Sequence, residues 1–211
     1  EDNPENFSYG LDYADRLSQV DRDVDAIPIL KEVIRQDPSS KLAYRRLGEA
    51  SRSIENLSAA ASSYEELFKI DPRDNRVAIT ISDIYLDDNN FRQALKWADK
   101  STSLNNSVGE GYGQKGKVFY YAWQNFRQNP FTIDDRIVAK LAYNYFLMAE
   151  KKGYRGFSKK DWLEENAKDI LYGKAQWFMA SDKIKRNRSI SPISSDYSWI
   201  SEPLKAEITW K

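Results

Sequence analysis

The 211-residue sequence predicts an all-α fold in which antiparallel helix pairs stack along the chain. Three observations indicate this fold: an internal period of 34 residues, small side chains that recur with that period, and a helix-stopping residue near the end of each repeat. The small side chains form two series, which are Ala26, Ala60, Ala94 and Gly48, Ser82, Gly116. A fixed period of this length is typical of solenoids, in which one repeat buries its apolar face only by stacking on the next.

Four repeats follow from this period. Pro38 and Pro72 close the first two, because proline cannot continue the hydrogen-bond ladder of a helix. Asn106 stands where the third repeat would have its proline. Large side chains such as Leu30 and Tyr64 lie at positions where they can fill the space beside the small ones. We place the repeats near 7–40, 41–74, 75–108 and 109–154.

The second repeat carries the most specific motif. It reads Tyr44-x2-Leu47-Gly48, then Ala60-x3-Tyr64, then Pro72. This resembles the tetratricopeptide repeat (TPR) family, whose pattern is W-x2-L-G-x2-Y, A-x3-F and P. The resemblance covers roughly residues 7–154; it is good in the third repeat, weaker at the front of the first and partial in the fourth. It implies a right-handed superhelix, an α-α solenoid, whose first helices line a concave groove.

The fourth repeat departs from the pattern. Its first helix is expected to run through Trp123, after which Gln128-Asn129-Pro130 requires a loop, so an insertion lies near 124–135. Thr132 and Asp135 have the spacing of a capping box that starts the following helix. Gly153 is suited to end that helix.

Residues 155–211 are predicted to form a capping helix and an extended aromatic tail. Ser158 and Asp161 have capping-box spacing, and apolar residues follow at intervals of three and four toward Ile184, with Gly173 as a point of bending or interruption. Such a helix would cover the apolar side of the last pair. From Ser189 onward the chain is too rich in aromatic residues for disorder, so we expect it to pack on the helices. Docking on another protein is the alternative.

Composition excludes most catalytic and metal chemistry. The chain has no Cys and no His, so thiolate and imidazole nucleophiles, bases and metal ligands are absent, and no phosphate-binding glycine motif occurs. Lys and Arg total 32 and so do Asp and Glu, a balance that disfavours general nucleic-acid binding. We expect no enzyme activity, no cofactor, no metal and no membrane span, and a protein or peptide as the partner. Lack of Cys favours an exported bacterial protein, with the cytoplasm as the alternative.

One short basic cluster has two interpretations. Lys183, Lys185, Arg186 and Arg188 lie close together near the expected end of the capping helix. The simpler interpretation is a solvated helix end that the helix dipole favours. The alternative is a phosphate or membrane site.

The resemblance implies which residues face the groove. Mapped onto this chain, they are Arg45, Glu49, Arg52, Arg76, Thr80, Asp83, Gln114, Lys117, Tyr120 and Tyr121. The arginines can hold carboxylates bidentately, whereas inter-helix salt bridges are the alternative. A carboxylate clamp found in part of the family is not reproduced, since Leu11 and Asp15 stand at its first two positions.

The predicted function is therefore a non-catalytic protein–protein interaction scaffold that holds an extended peptide or partner segment in the groove. One alternative is a structural subunit that assembles through its convex face or its C-terminal tail. Another is a small-ligand or glycan binder that uses Tyr120, Tyr121 and Trp123 as stacking platforms.

Overall fold

The structure is a computed structural model that describes residues 4–155 and 158–210. Eight helices occupy the repeat region of the described chain: α1 (Pro4–Ser18), α2 (Asp23–Gln36), α3 (Lys41–Ser53), α4 (Leu57–Ile70), α5 (Asn75–Asp87), α6 (Phe91–Leu104), α7 (Glu110–Phe126) and α8 (Ile133–Lys151). Each predicted repeat contains two of them. The predicted all-α helical-repeat fold of the tetratricopeptide type is confirmed.

The chain divides into two compact units. Unit 1 comprises Glu1–Asn90 and holds α1 to α5, and unit 2 comprises Phe91–Lys211 and holds α6 to α8 with the C-terminal region. The domain bounds derived from the sequence period, 1–154 and 155–211, stay a prediction.

Unit 1 is built by successive packing of neighbouring helices, α1 on α2, α2 on α3, α3 on α4 and α4 on α5. Gly48 shows why the small-residue positions matter, since an added Cβ atom would lie 2.5 Å from Cδ2 of Tyr64. Three helices begin where the sequence places a capping side chain: Ser40, Asn56 and Asp74 each accept a hydrogen bond from a backbone N–H in the first turn.

A tyrosine hydrogen bond joins two helices of unit 1 and has a testable pH dependence. The Tyr85 hydroxyl donates to Glu65 over 2.8 Å, linking α5 to α4. Burial and then this hydrogen bond raise the pKa of Tyr85 to about 12. The folded state therefore keeps a proton that an unfolded tyrosine loses near pH 10, so the bond stabilises the fold fully below about pH 10 and loses this effect as the pH rises toward 12.

We expect the difference between the phenolate absorbance titrations of the wild type and of Tyr85→Phe to show one phenol that ionises near pH 12. A difference curve centred near pH 10 would show that the hydrogen bond to Glu65 does not persist in solution.

Unit 2 contains the long α7–α8 pair. Gly116 lies in close contact with the partner helix, because an added Cβ atom would lie 2.6 Å from Cε1 of Phe146. The capping box of Thr132 and Asp135 is present at the start of α8, as predicted. Gly153 follows the end of α8 with a φ of 81°, a left-handed conformation that glycine adopts without strain.

The predicted capping region is divided into short helices, and Gly173, the predicted point of interruption, lies in one of the breaks. Within residues 158–210 there are four short helices, α9 (Ser158–Glu165), α10 (Ala167–Ile170), α11 (Lys174–Met179) and α12 (Asp182–Asn187). Ile170, Leu171 and Tyr172 are consecutive and all buried, which one face of a continuous helix does not allow. The backbone is accordingly extended at Leu171. The proposed capping role of the Ser158 side chain lies outside the described residues.

The C-terminal tail folds back on unit 2, as predicted. Strands β1 (Ser189–Ile190) and β2 (Leu204–Lys205) pair in antiparallel register. Between them, the backbone N–H groups of Ile193 and Ser194 donate to Asp134 Oδ2 over 2.9 and 2.7 Å. The tail is thus tied to the N-terminal end of α8. Among the helices within residues 4–155 and 158–210, none is long and apolar enough to cross a membrane.

Candidate functional site

Helix α3 presents three of the predicted groove residues on one side, because Arg45, Glu49 and Arg52 are spaced by four and three residues. Arg45 Nη2 lies 3.7 Å from Asp74 Oδ2, and Arg52 Nε donates to Asp87 Oδ2 over 2.9 Å. These two acceptors lie just before the first residue of α5 and at its last residue. Inter-helix salt bridging, the alternative weighed for the arginines, is therefore present at Arg45 and Arg52.

Helix α5 presents Arg76, Thr80 and Asp83 at the same spacing. Arg76 is exposed, and no ion pair to its guanidinium occurs within residues 4–155 and 158–210. The Thr80 hydroxyl donates to the Arg76 carbonyl over 3.0 Å, and Asp83 is half-buried. We call the six residues of α3 and α5 the first-helix face of unit 1: Arg45, Glu49, Arg52, Arg76, Thr80 and Asp83.

A carboxylate series crosses the first helices of unit 1. Asp15 of α1, Glu49 of α3 and Asp83 of α5 are separated by the 34-residue period. Between the first two lies Arg46, whose Nε is 2.8 Å from Asp15 Oδ1 and whose Nη1 donates to Glu49 over 2.9 Å. The hydrogen bond to Glu49 is the main cause of the raised pKa of Arg46. The sequence period contains this series, although Asp15 and Arg46 are not among the predicted groove residues.

A cavity of about 360 Å³ lies beside this series, between the end of α1 and the side of α3. Its charged lining residues are Asp15, Asp21, Asp23, Glu49 and Arg46. Four carboxylates against one guanidinium make the cavity suitable for a basic group of a partner. Among the described residues, no group of three or more acidic side chains is arranged to hold a metal ion.

In unit 2 the predicted groove residues are less accessible. Gln114 is 2% exposed and Tyr120 is 7% exposed, and the Tyr120 hydroxyl accepts a hydrogen bond from Gln124 over 2.9 Å. Tyr121 accepts a hydrogen bond from the Lys159 ammonium of α9, which lies 4.2 Å from the centre of its ring. Lys117 is half-buried. Helix α9 therefore covers part of this surface, and sequence spacing gave no sign of that contact.

Trp123 is not a ligand-stacking platform. It is fully buried, with its ring 5.8 Å from that of Phe131 and 6.0 Å from that of Trp162, measured between ring centres. The Arg127 guanidinium lies 4.7 Å from its centre. Trp123 is therefore a core residue where α7 packs against α9 and against the segment before α8. The glycan-binding alternative loses one of its three aromatic residues.

The tail covers a different side of α7. The Trp199 ring stacks at 6.4 Å on Phe119 of α7 and at 6.2 Å on Phe91 of α6. Glu202 accepts hydrogen bonds from Lys115 over 3.0 Å and from the Tyr145 hydroxyl of α8. The tail therefore lies between α6 and α8, over α7.

Helix geometry separates this covered side from the predicted groove residues. Lys115 and Phe119, which contact the tail, lie one turn apart, whereas Lys117 points to the opposite side of α7 at 100° per residue. Burial by itself lowers the pKa of Lys115, but its hydrogen bonds to Asp99 and Tyr145 raise the pKa above the ordinary value. Glu202 of the tail is a further partner of this buried ammonium, on the side of α7 away from Lys117.

Comparison with known proteins supports the fold. No protein-family model and no curated protein matches the sequence. A solved structure of MamA aligns with a TM-score of 0.57 and 19% identity, covering 72% of this chain and 80% of that chain. A MamA structure from Desulfovibrio magneticus RS-1 aligns with a TM-score of 0.54 and 12% identity, covering 70% of this chain and 75% of that chain. At these identities the similarity shows the helical-repeat fold alone.

Proposed function

We propose that the protein is a non-catalytic protein–protein interaction scaffold that binds an extended segment of a partner protein across the first helices. The observation that carries this proposal is the first-helix face of unit 1, where the carboxylates of Glu49 and Asp83 recur with the repeat period and arginines lie on the same two helices. Arg76 is exposed there without an ion pair among the described residues. A rigid stack of helices that presents regularly spaced charges suits recognition of an extended chain better than catalysis.

The charges indicate what the partner segment carries. Arg76 can pair with a carboxylate, because a guanidinium matches a carboxylate through two parallel hydrogen bonds. The acidic cavity beside Asp15 and Glu49 can hold a lysine or arginine side chain. We infer that the partner segment carries one acidic and one basic residue. The acidic residue would lie opposite Arg76, and the basic residue would lie in the acidic cavity. The partner's identity then follows from affinity capture and mass spectrometry.

The test is charge reversal of two arginines, Arg45→Glu with Arg76→Glu. We expect the affinity for the captured partner to fall about tenfold or more in a calorimetric titration, because like charges then face the partner's carboxylates. Stability should change by less than about 1 kcal/mol, since the Arg45–Asp74 pair is long and partly exposed.

The matched control reverses two exposed charges on a second helix, Arg92→Glu with Lys96→Glu in α6. This variant should bind the partner with the wild-type affinity. Equal affinity of the Arg45/Arg76 variant and the wild type, with both folded by circular dichroism, would contradict the assignment of the first-helix face.

One observation favours a structural subunit as the second candidate. Tyr9 and Tyr13 of α1 are largely exposed, yet they occupy the repeat positions of Ala43 and Leu47, which are buried in α3 beneath the preceding repeat. Stacking of another helix on α1 would bury both tyrosines. The tail is less available for assembly, because Glu202 is engaged within unit 2. A concentration-independent oligomer in size-exclusion light scattering would favour this candidate, and a monomer would favour the scaffold.

A further inference from the structure

The last part of unit 2 exposes large apolar side chains beside basic ones. Phe178 is 79% exposed, Met179 is 86% exposed and Ile208 is 79% exposed. Together with four exposed basic residues of the same region they form what we call the apolar–basic patch. Its basic members are Lys174, Lys183, Arg186 and Arg188. None of these seven side chains is buried in the core of unit 2.

Local contacts hold the patch together. Lys185 Nζ donates to the Phe178 carbonyl over 2.7 Å, which joins α12 to the end of α11. The Trp177 ring lies 5.7 Å from that of Trp210, so α11 is anchored to the segment that contains Ile208. Trp177 is buried, whereas Phe178 and Met179 next to it point outward. The region therefore has an apolar residue that fixes it to unit 2 and two others that remain in solvent.

The charge of this region is strongly positive although the whole chain is neutral. Between residues 174 and 190 there are five basic residues and one acidic residue, Asp182. Lys183 and Arg186 are exposed, and neither has an ion pair within residues 4–155 and 158–210. They lie three residues apart on α12 and so project on the same side of that helix. Such a surface is complementary to a dense array of anions.

The exposure of the apolar residues decides between kinds of partner. Side chains exposed by about four-fifths protrude from the surface. A bilayer interface accepts protruding apolar groups at the headgroup–acyl boundary, and its anionic phosphates attract neighbouring lysines and arginines. We propose that the apolar–basic patch binds the surface of a membrane rich in anionic phospholipids, with Phe178 and Met179 inserted and Lys183 and Arg186 facing the phosphates.

This inference goes beyond the scaffold function and does not depend on it, because the patch shares no residue with the first-helix face of unit 1. It also selects the membrane alternative for the basic cluster noted in the sequence. A scaffold with this patch would hold its partner at a membrane surface.

The experiment is co-sedimentation of the full chain with vesicles. One vesicle preparation contains phosphatidylcholine with phosphatidylserine at about three to one, and the other contains phosphatidylcholine alone. We expect the wild type to sediment with the anionic vesicles and to be released as the salt concentration rises. Phe178→Ser with Met179→Ser, and separately Lys183→Glu with Arg186→Glu, should each lower the partition coefficient at least tenfold.

The matched control changes one exposed apolar and one exposed basic residue of unit 1, Leu42→Ser with Lys31→Glu, and should bind like the wild type. Absence of wild-type sedimentation with anionic vesicles would overturn the proposal. Sedimentation that Phe178→Ser with Met179→Ser leaves unchanged would also overturn it, because a contact with a polyanion such as an acidic protein needs no apolar insertion.

Discussion

Replacing Asp135 by alanine is expected to lower the free energy of unfolding by about 3 kcal/mol or more and to release the C-terminal tail. Asp135 is 1% exposed. Its Oδ2 accepts hydrogen bonds from the Gln128 N–H over 3.2 Å and from the N–H and hydroxyl of Thr132, both over 2.8 Å. Its Oδ1 accepts the Tyr197 hydroxyl over 2.8 Å. Alanine has no acceptor, so it leaves these buried donors without a partner and removes the cap of α8.

Urea unfolding followed by circular dichroism measures this loss, and limited proteolysis reports release of the tail. Tyr197→Phe is the matched variant, because it removes one hydroxyl and leaves the cap of α8 intact. We expect it to cost about 1 kcal/mol and to increase cleavage in the tail only. A loss below about 1 kcal/mol in Asp135→Ala would show that the buried carboxylate does not join the tail to α8.

Replacing Gly116 by valine is expected to destabilise the fold by about 2–3 kcal/mol through overpacking. The new Cβ atom would lie 2.6 Å from Cε1 of Phe146, and Phe146 is fully buried and has little room to move. Helix propensity would change the stability in the other direction, because valine is more favourable than glycine inside a helix by a few tenths of a kcal/mol. The sign of the measured change therefore separates packing from propensity.

Asn125→Val is the matched control, since Asn125 is an exposed residue of the same helix. It should change stability by less than about 0.5 kcal/mol. Phe146→Leu makes room for the valine, so the double variant should be more stable than the sum of the single changes by about 1 kcal/mol. Strictly additive changes in thermal or urea unfolding would contradict close contact between α7 and α8 at this position.

The repeat architecture could be predicted because its physical causes are local and periodic. A small residue at Gly48 or Gly116 and a proline after a second helix act within one helix pair, and the structure places Gly48 against the predicted ring of Tyr64. The capping box of Thr132 and Asp135 is equally local. The contact of Asp135 with Tyr197 spans 62 residues, and no sequence interval indicates it.

The C-terminal region shows how an apolar pattern can mislead. Apolar residues at intervals of three and four suggested one helix, but buried positions in short turns produce similar intervals. The run of Ile170, Leu171 and Tyr172 was the available warning, because three consecutive buried residues do not fit one helix face.

The candidate surface was predictable in part. The repeat pattern identified the positions on α3 and α5, and the structure shows that Arg45 and Arg52 pair with Asp74 and Asp87. Whether such a pair forms depends on how far each side chain extends toward the neighbouring helix, and the intervals in the sequence do not determine that distance. The carboxylate series that begins at Asp15 was accessible from the period alone.

The most direct test of the scaffold proposal is site-specific photo-crosslinking to the captured partner. A photoreactive phenylalanine derivative at Thr80, on the first-helix face of unit 1, is compared with the same group at Ser62, an exposed residue of the second helix α4. We expect a covalent adduct from Thr80 that disappears when Arg45→Glu and Arg76→Glu are added, and none from Ser62. An adduct from Ser62 together with none from Thr80 would contradict binding at the first helices.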